Sequence, residues 1–86
     1  MNRAEIIEKK LREALEPSFL QVENHSHKHK GHRGDDGSGE THFHVTVISP
    51  KFKNMPPVER QRMIYTILDD ELKNGLHALS IAASAE

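Results

Sequence analysis

The 86-residue sequence predicts an α+β domain with the element order helix, strand, strand, helix, strand. Two segments carry apolar residues at helical spacing, and three shorter segments show the composition or alternation of strands. The second strand, second helix and third strand form a βαβ unit, which implies parallel strands and a right-handed crossover. We therefore expect a single domain in which two helices cover one face of a mixed three-stranded sheet.

The first helix is predicted to begin after Asn2, a residue that can cap a helix. Glu5 lies three residues further on, as in a capping box. The helix ends before Pro17, because the residue preceding a proline disfavours helical geometry. Its charged residues are interpreted as a solvated face, opposite an apolar stripe made of Ala4, Ile7, Leu11, Ala14 and Leu15.

Three strands are predicted, at 19–23, 43–47 and 76–82. In the second strand apolar and polar residues alternate, which is typical of a half-buried strand. The second helix follows Met55-Pro56-Pro57, and Gly75 is suited to the position just after its end. Its predicted apolar stripe is Val58, Ile64, Ile67, Leu68 and Leu72.

A long polar loop, at about 24–41, separates the first two strands, and we expect it to be flexible. Residues 24–42 hold four of the five glycines and five of the seven histidines. Imidazole is a common transition-metal ligand, so the loop is a candidate metal site. The alternative is a solvated insertion whose histidines have no role. These histidines are His25, His27, His29, His32 and His42.

The predicted topology brings distant histidines to one edge of the sheet. The first strand ends at the loop, the second begins there, and the third runs parallel to the second. The loop, His42 and His77 should therefore meet. Alternation places His77 on the helix-packed side, where it could instead be a structural residue hydrogen-bonded to a carbonyl. His44 faces outward, on a sheet face without an obvious cover, which leaves a homodimer as an alternative.

Composition excludes several functional classes. The net charge is −1, so no overall field attracts nucleic acid. The absence of cysteine excludes disulfides, thiolate catalysis and all-cysteine metal sites, so any sulfur ligand must come from a partner. No nucleophile-elbow pattern occurs, and we do not expect an enzyme. Without a signal-peptide pattern or an apolar span, we expect a cytoplasmic protein, or a matrix protein if the source is eukaryotic and mitochondrial.

Two other features suggest weaker hypotheses. A basic cluster near the second helix is interpreted as a solvated face, with a partner or nucleic-acid surface as the alternative. Two GxxG matches, at 31–34 and 34–37, lie between strands, whereas the nucleic-acid-clamping loop of KH domains joins two helices. We therefore discount them. The basic cluster consists of Lys51, Lys53, Arg60 and Arg62.

Five segments together resemble the BolA proteins over nearly the whole chain: LEPSFLQV at 15–22, SHKH at 26–29, THFHV at 41–45, VERQRMIY at 58–65 and LKNGLHALSI at 72–81. The resemblance implies a fold like a class II KH domain without its GxxG loop. It also implies a role in iron–sulfur cluster handling with monothiol glutaredoxins of the CGFS type.

The same resemblance implies a [2Fe–2S] cluster shared with the glutaredoxin and glutathione, and none on the isolated protein. His77 matches one ligand. His29 matches the other, with His25, His27 and His32 as alternates because this loop carries extra histidines. Some bacterial BolA proteins are linked to transcription, so a KH-like nucleic-acid-binding regulator is the alternative function. A zinc or copper binder acting through the loop alone is a third hypothesis.

Overall fold

The computed structural model describes residues 2–25 and 41–86. Within these ranges no helix is long and apolar enough to cross a membrane. The helices are α1 (Arg3–Leu15), α2 (Pro57–Ile67) and α3 (Asp69–Lys73), and a short 3-10 helix spans Pro50–Phe52. The strands are β1 (Phe19–Asn24), β2 (His42–Ile48) and β3 (Ala78–Ser84).

The sheet has the order β1-β2-β3, with β2 in the centre. Strands β1 and β2 are antiparallel and pair Val22 with Val45. Strands β2 and β3 are parallel and pair Val45 with Ile81. The mixed three-stranded sheet and the α+β class are therefore confirmed.

The hydrophobic core lies between one face of this sheet and the helices. Alternate residues of β2 are fully buried, as the alternation in the sequence predicts. The other face of the sheet, which we call the open face, carries His44 and Ser80. The core residues are Ile7, Leu11, Leu15, Phe43, Val45, Val47, Phe52, Ile64, Leu68 and Leu76.

Both predicted ends of α1 are confirmed. The Glu5 N–H donates to Asn2 Oδ1 at 2.9 Å, which supplies the expected N-cap. The helix stops at Leu15, and Glu16 follows in the left-handed region with φ 46°. The chain then turns through Pro17 into β1.

The second predicted helix is two helices, α2 and α3, separated at Leu68. Leu68 has φ −100° and ψ 19° and is buried in the core. Asp69 and Asp70 follow it; aspartate is unfavourable inside a helix but favourable in a first turn. A hydrogen bond at 2.9 Å from Lys10 Nζ to Glu71 Oε2 ties α3 to α1. That hydrogen bond is the main cause that raises the pKa of Lys10.

One core assignment was wrong, and one core residue was not predicted. Val58, expected in the apolar stripe, is 52% exposed, whereas Phe52, which lies in none of the predicted elements, is fully buried. Val58 and Ile64 are six residues apart, which separates them by about 120° around a helix axis. Only Ile64 can therefore face the core. Phe52 reaches the core because the 3-10 helix turns it inward.

Strand β3 begins later than expected, at Ala78 instead of Leu76. Gly75 has φ 119°, and the Leu76 N–H donates to Glu71 O at 3.0 Å. This is the capping pattern that glycine allows after a helix, and it confirms the predicted position of Gly75. The Leu76 N–H is therefore bonded to the end of α3, and His77 lies in the segment that connects α3 to β3.

Candidate functional site

Three separate segments meet at the edge of the sheet where β2 begins. The N–H groups of His77 and Ala78 both donate to the carbonyl of Thr41, at 2.8 and 3.1 Å. On the other side of β2, the His25 N–H donates to the carbonyl of His42 at 2.8 Å. The structure therefore brings His42 and His77 to this edge, as the topology predicts, and pairs the backbone of His25 with that of His42.

The rings of His42 and His77 contact each other at this edge. Their centroids are 6.4 Å apart, with an angle of 28° between the planes. His42 is half-buried, and its Nδ1 lies 2.7 Å from Oγ1 of Thr41, which is fully buried. Thr41 therefore links the backbone that holds His77 to the ring that contacts it.

The expected placement of His77 on the helix-packed side was wrong, because the residue precedes β3 and is exposed. Its backbone N–H, not its ring, bonds to a carbonyl. Toward the residues that the structure describes, the ring contacts His42 and makes no hydrogen bond. The structural alternative, a His77 ring hydrogen-bonded to a carbonyl, is therefore not found among residues 2–25 and 41–86. An accessible imidazole is held at a fixed backbone position.

The remaining loop histidines, His27, His29 and His32, lie outside the described residues, as do both GxxG matches. Which of these histidines could act as a ligand stays a prediction. Across residues 2–25 and 41–86, no three histidine or carboxylate side chains are already grouped to hold a metal ion. A metal at this edge would therefore need ligands from the loop or from a partner.

In the basic cluster, two side chains stabilise the fold. Lys51 Nζ donates to the Ala14 carbonyl at 3.0 Å and lies 3.3 Å from Glu16 Oε1, at the end of α1. Arg60 donates from Nη1 to the carbonyl of Ala83 at 2.9 Å, which joins α2 to β3. Their positive groups are thus engaged within the domain.

The other two members of the cluster are on the surface. Arg62 Nη1 lies 3.1 Å from Glu59 Oε1 on the same helix. Lys53 is exposed and follows the 3-10 helix. Of the four residues, Lys51 and Arg62 therefore lie beside carboxylates, whereas Arg60 and Lys53 keep their positive charge.

Two buried polar residues were missed in the sequence, Thr41 and Ser49. They flank β2 at its two ends. The only available signal was a hydroxyl residue at each boundary of the alternating segment, where side chains can bond to the backbone of neighbouring elements.

The comparisons agree with the fold. Residues 11–86 match the family described as BolA-like protein. A Sinorhizobium sp. protein, described as lying in the cobS 5′ region, is 48% identical over 99% of this chain and 92% of its own length. The DNA-binding transcriptional regulator BolA of Haemophilus influenzae is 40% identical over 94% of this chain and 75% of its own length.

Other relatives are longer than this chain. It spans 22% of SufE-like protein 1, chloroplastic/mitochondrial, of Arabidopsis thaliana, at 49% identity and 90% coverage of this chain. The solved structure of BolA1 from Arabidopsis thaliana matches with a TM-score of 0.88 and 44% identity. That match covers 98% of this chain and 92% of the other.

Proposed function

The chain belongs to the BolA-like family, and on that premise we propose that it is an adaptor that handles a [2Fe–2S] cluster jointly with a monothiol CGFS glutaredoxin. In this proposal His77 is the fixed ligand from this chain and His29 is the second. The observation that supports the proposal most is the exposed His77 imidazole beside His42, at the edge from which residues 26–40 depart.

The donor set of the chain fits one half of such a site. It offers imidazole nitrogen but no thiolate, because it has no cysteine. A cysteine of the glutaredoxin and the thiol of glutathione would supply the sulfur ligands. A cluster held in this way would have a higher reduction potential than one held by thiolates alone, because a neutral histidine replaces a negatively charged ligand.

The chain's own contribution is to position an imidazole. Two hydrogen bonds to the Thr41 carbonyl hold the backbone at His77 and Ala78. The His42 ring lies against His77 on one side, while the rest of the His77 side chain remains exposed to an incoming partner. Ligation requires neutral imidazole, so protons compete with the metal at low pH.

The proposal predicts that His77→Ala abolishes the spectrum of the shared cluster, whereas His44→Ala, a matched change on the open face, leaves it intact. The chain is mixed with a CGFS glutaredoxin, glutathione, iron and sulfide, and visible absorption and circular dichroism are recorded. His29→Ala should lose less signal, because His27 or His32 can replace it. Cluster binding should weaken as the pH falls through about 6.5, the reference pKa of histidine.

Two results would contradict this assignment. A wild-type spectrum from His77→Ala together with a lost spectrum from His29→Ala would show that His77 is not the fixed ligand. A binding curve that stays flat from about pH 8 to 5 would show that histidine is not a ligand. Far-ultraviolet circular dichroism of each variant confirms that it folds.

The second candidate function is nucleic-acid binding, which the name of the Haemophilus influenzae relative favours. The net charge of −1 counts against it, because no overall field attracts nucleic acid. Titration with duplex DNA at two salt concentrations distinguishes the two functions. Specific affinity that falls steeply with salt would support DNA binding.

A further inference from the structure

Strand β3 lies at one edge of the sheet, so one side of its backbone has no strand partner within residues 2–25 and 41–86. The Ala78 N–H and the Ser84 carbonyl, at the two ends of β3, both bond to backbone groups that flank β2. Because these directions alternate along a strand, every second residue of β3 directs its N–H and C=O away from β2, to what we call the outer side of β3. The outward-facing residues are Leu79, Ile81 and Ala83.

The sequence of β3 gives this outer side little protection against pairing with another strand. The strand reads ALSIAAS and contains no charged residue, no proline and no glycine. Low charge and the absence of proline are part of the signature of short segments that pair when their edge is exposed. The other edge strand, β1, carries the carboxylate of Glu23, and charged side chains on an edge oppose such pairing. Protection of β3 must therefore come from outside the strand.

Two side chains of α2 bond to the outer side of β3. Arg60 donates from Nη1 to the carbonyl of Ala83 and from Nε to the carbonyl of Met55, both at 2.9 Å. The Tyr65 hydroxyl donates to the carbonyl of Leu79 at 3.3 Å, which is longer than an ordinary O–H···O bond. These acceptors on β3 are two of its three outward-facing carbonyls. A strand that paired with β3 would have to break both bonds.

The course of α2 places the two side chains at opposite ends of β3. Arg60, near the start of α2, reaches the end of β3, and Tyr65, near the end of α2, reaches its start. An arginine side chain stays charged, so covering it with an incoming strand without its carbonyl partners would be costly. Tyr65 is 39% exposed, and its bond to β3 accounts for an aromatic side chain at the surface.

We propose that Arg60 and Tyr65 protect the outer side of β3 from pairing with β3 of a second copy of this chain. In a two-fold symmetric pair, the two β3 strands would be antiparallel and would join two three-stranded sheets into one. The excluded partner is a second copy because an uncharged strand of small and apolar residues offers no repulsion to itself. This inference needs neither a cluster nor a glutaredoxin, so it stands apart from the proposed function.

The test compares the double variant Arg60→Ala/Tyr65→Ala with the wild-type chain by sedimentation velocity over a wide range of concentrations. We expect the variant to shift toward the dimer as its concentration rises, relative to the wild type. Val58→Ala/Arg62→Ala is the matched control, because it removes one apolar and one arginine side chain from exposed positions of the same helix. The control should sediment like the wild type.

Amide hydrogen exchange locates the new interface. In the double variant, the N–H groups of Leu79, Ile81 and Ala83 should become more protected at high concentration than at low concentration. Adding Ala82→Lys to the double variant should restore the sedimentation of the wild type. Ala82 is exposed on β3, and a lysine on an edge strand opposes pairing.

A second variant, Arg60→Met/Tyr65→Phe, removes the same two donors and keeps most of the side-chain volume. It tests the same prediction if far-ultraviolet circular dichroism shows that the alanine variant does not fold. A folded variant that sediments like the wild type at every concentration would overturn the proposal. An equal shift in the control, or a dimer without added protection at the three outward-facing amides, would overturn it as well.

Discussion

The central strand β2 has a buried hydroxyl residue at each end, and the two ends use it differently. At one end the Ser49 Oγ donates to the carbonyl of Leu15 at 2.6 Å, and the Ser49 N–H donates to Ser84 O at 3.0 Å. At the other end the Thr41 carbonyl accepts two backbone N–H groups, while Oγ1 lies 2.7 Å from the Nδ1 of His42.

The comparison distinguishes the Ser49 end of β2, whose role is structural, from the Thr41 end, whose neighbouring side chains can exchange a proton. Ser49 joins the end of α1 and the end of β3 through backbone groups, which have no alternative protonation state. The Thr41 hydroxyl instead contacts an imidazole, which can gain or lose a proton and whose neighbour His77 is exposed. The same kind of residue therefore closes the core at one end and positions side chains at the other.

The largest effect is expected from Phe52→Ala, at the Ser49 end. Phe52 is fully buried, and removing its ring leaves a cavity in the core. We expect the free energy of unfolding to fall by about 3–5 kcal/mol. Urea denaturation followed by circular dichroism measures it. Val58→Ala is the matched control on an exposed apolar residue, and an equal loss there would contradict the assignment of the core.

Ser49→Ala should have an intermediate effect. It removes the donor to Leu15 O and the acceptor for the Lys51 N–H, so two backbone groups lose their partner. The expected loss of unfolding free energy is about 1–3 kcal/mol, by the same denaturation measurement. Ser80→Ala, at an exposed hydroxyl on β3, is the control. If both variants lost the same stability, the special role of the Ser49 end would be wrong.

Thr41→Val should cost the least stability of the three, about 0.5–1.5 kcal/mol, because it keeps the volume of the side chain and the backbone hydrogen bonds. Its main effect should be local. The His42 ring loses its hydroxyl neighbour, so its nitrogen NMR signals should move while those of His44 stay in place. A loss of stability equal to that of Ser49→Ala, or larger, would show that the Thr41 end is also structural.

Much of the fold follows from local rules that can be read along the chain. Asn2 and Glu5 determine where α1 begins, alternation determines which face of β2 is buried, and Gly75 allows the turn after α3. The meeting of His42 and His77 also followed, because parallel pairing in a βαβ unit brings the starts of two strands to one edge.

The tertiary structure decided the rest, since it depends on contacts between residues far apart in sequence. Lys51 and Arg60 are engaged by carbonyls of α1 and β3, which no local pattern reveals. His77 is exposed because Leu76 donates to Glu71 O and delays the start of β3. The stacking of the His25 ring on the His44 ring requires the register between β1 and β2. That register is determined by packing across the whole sheet.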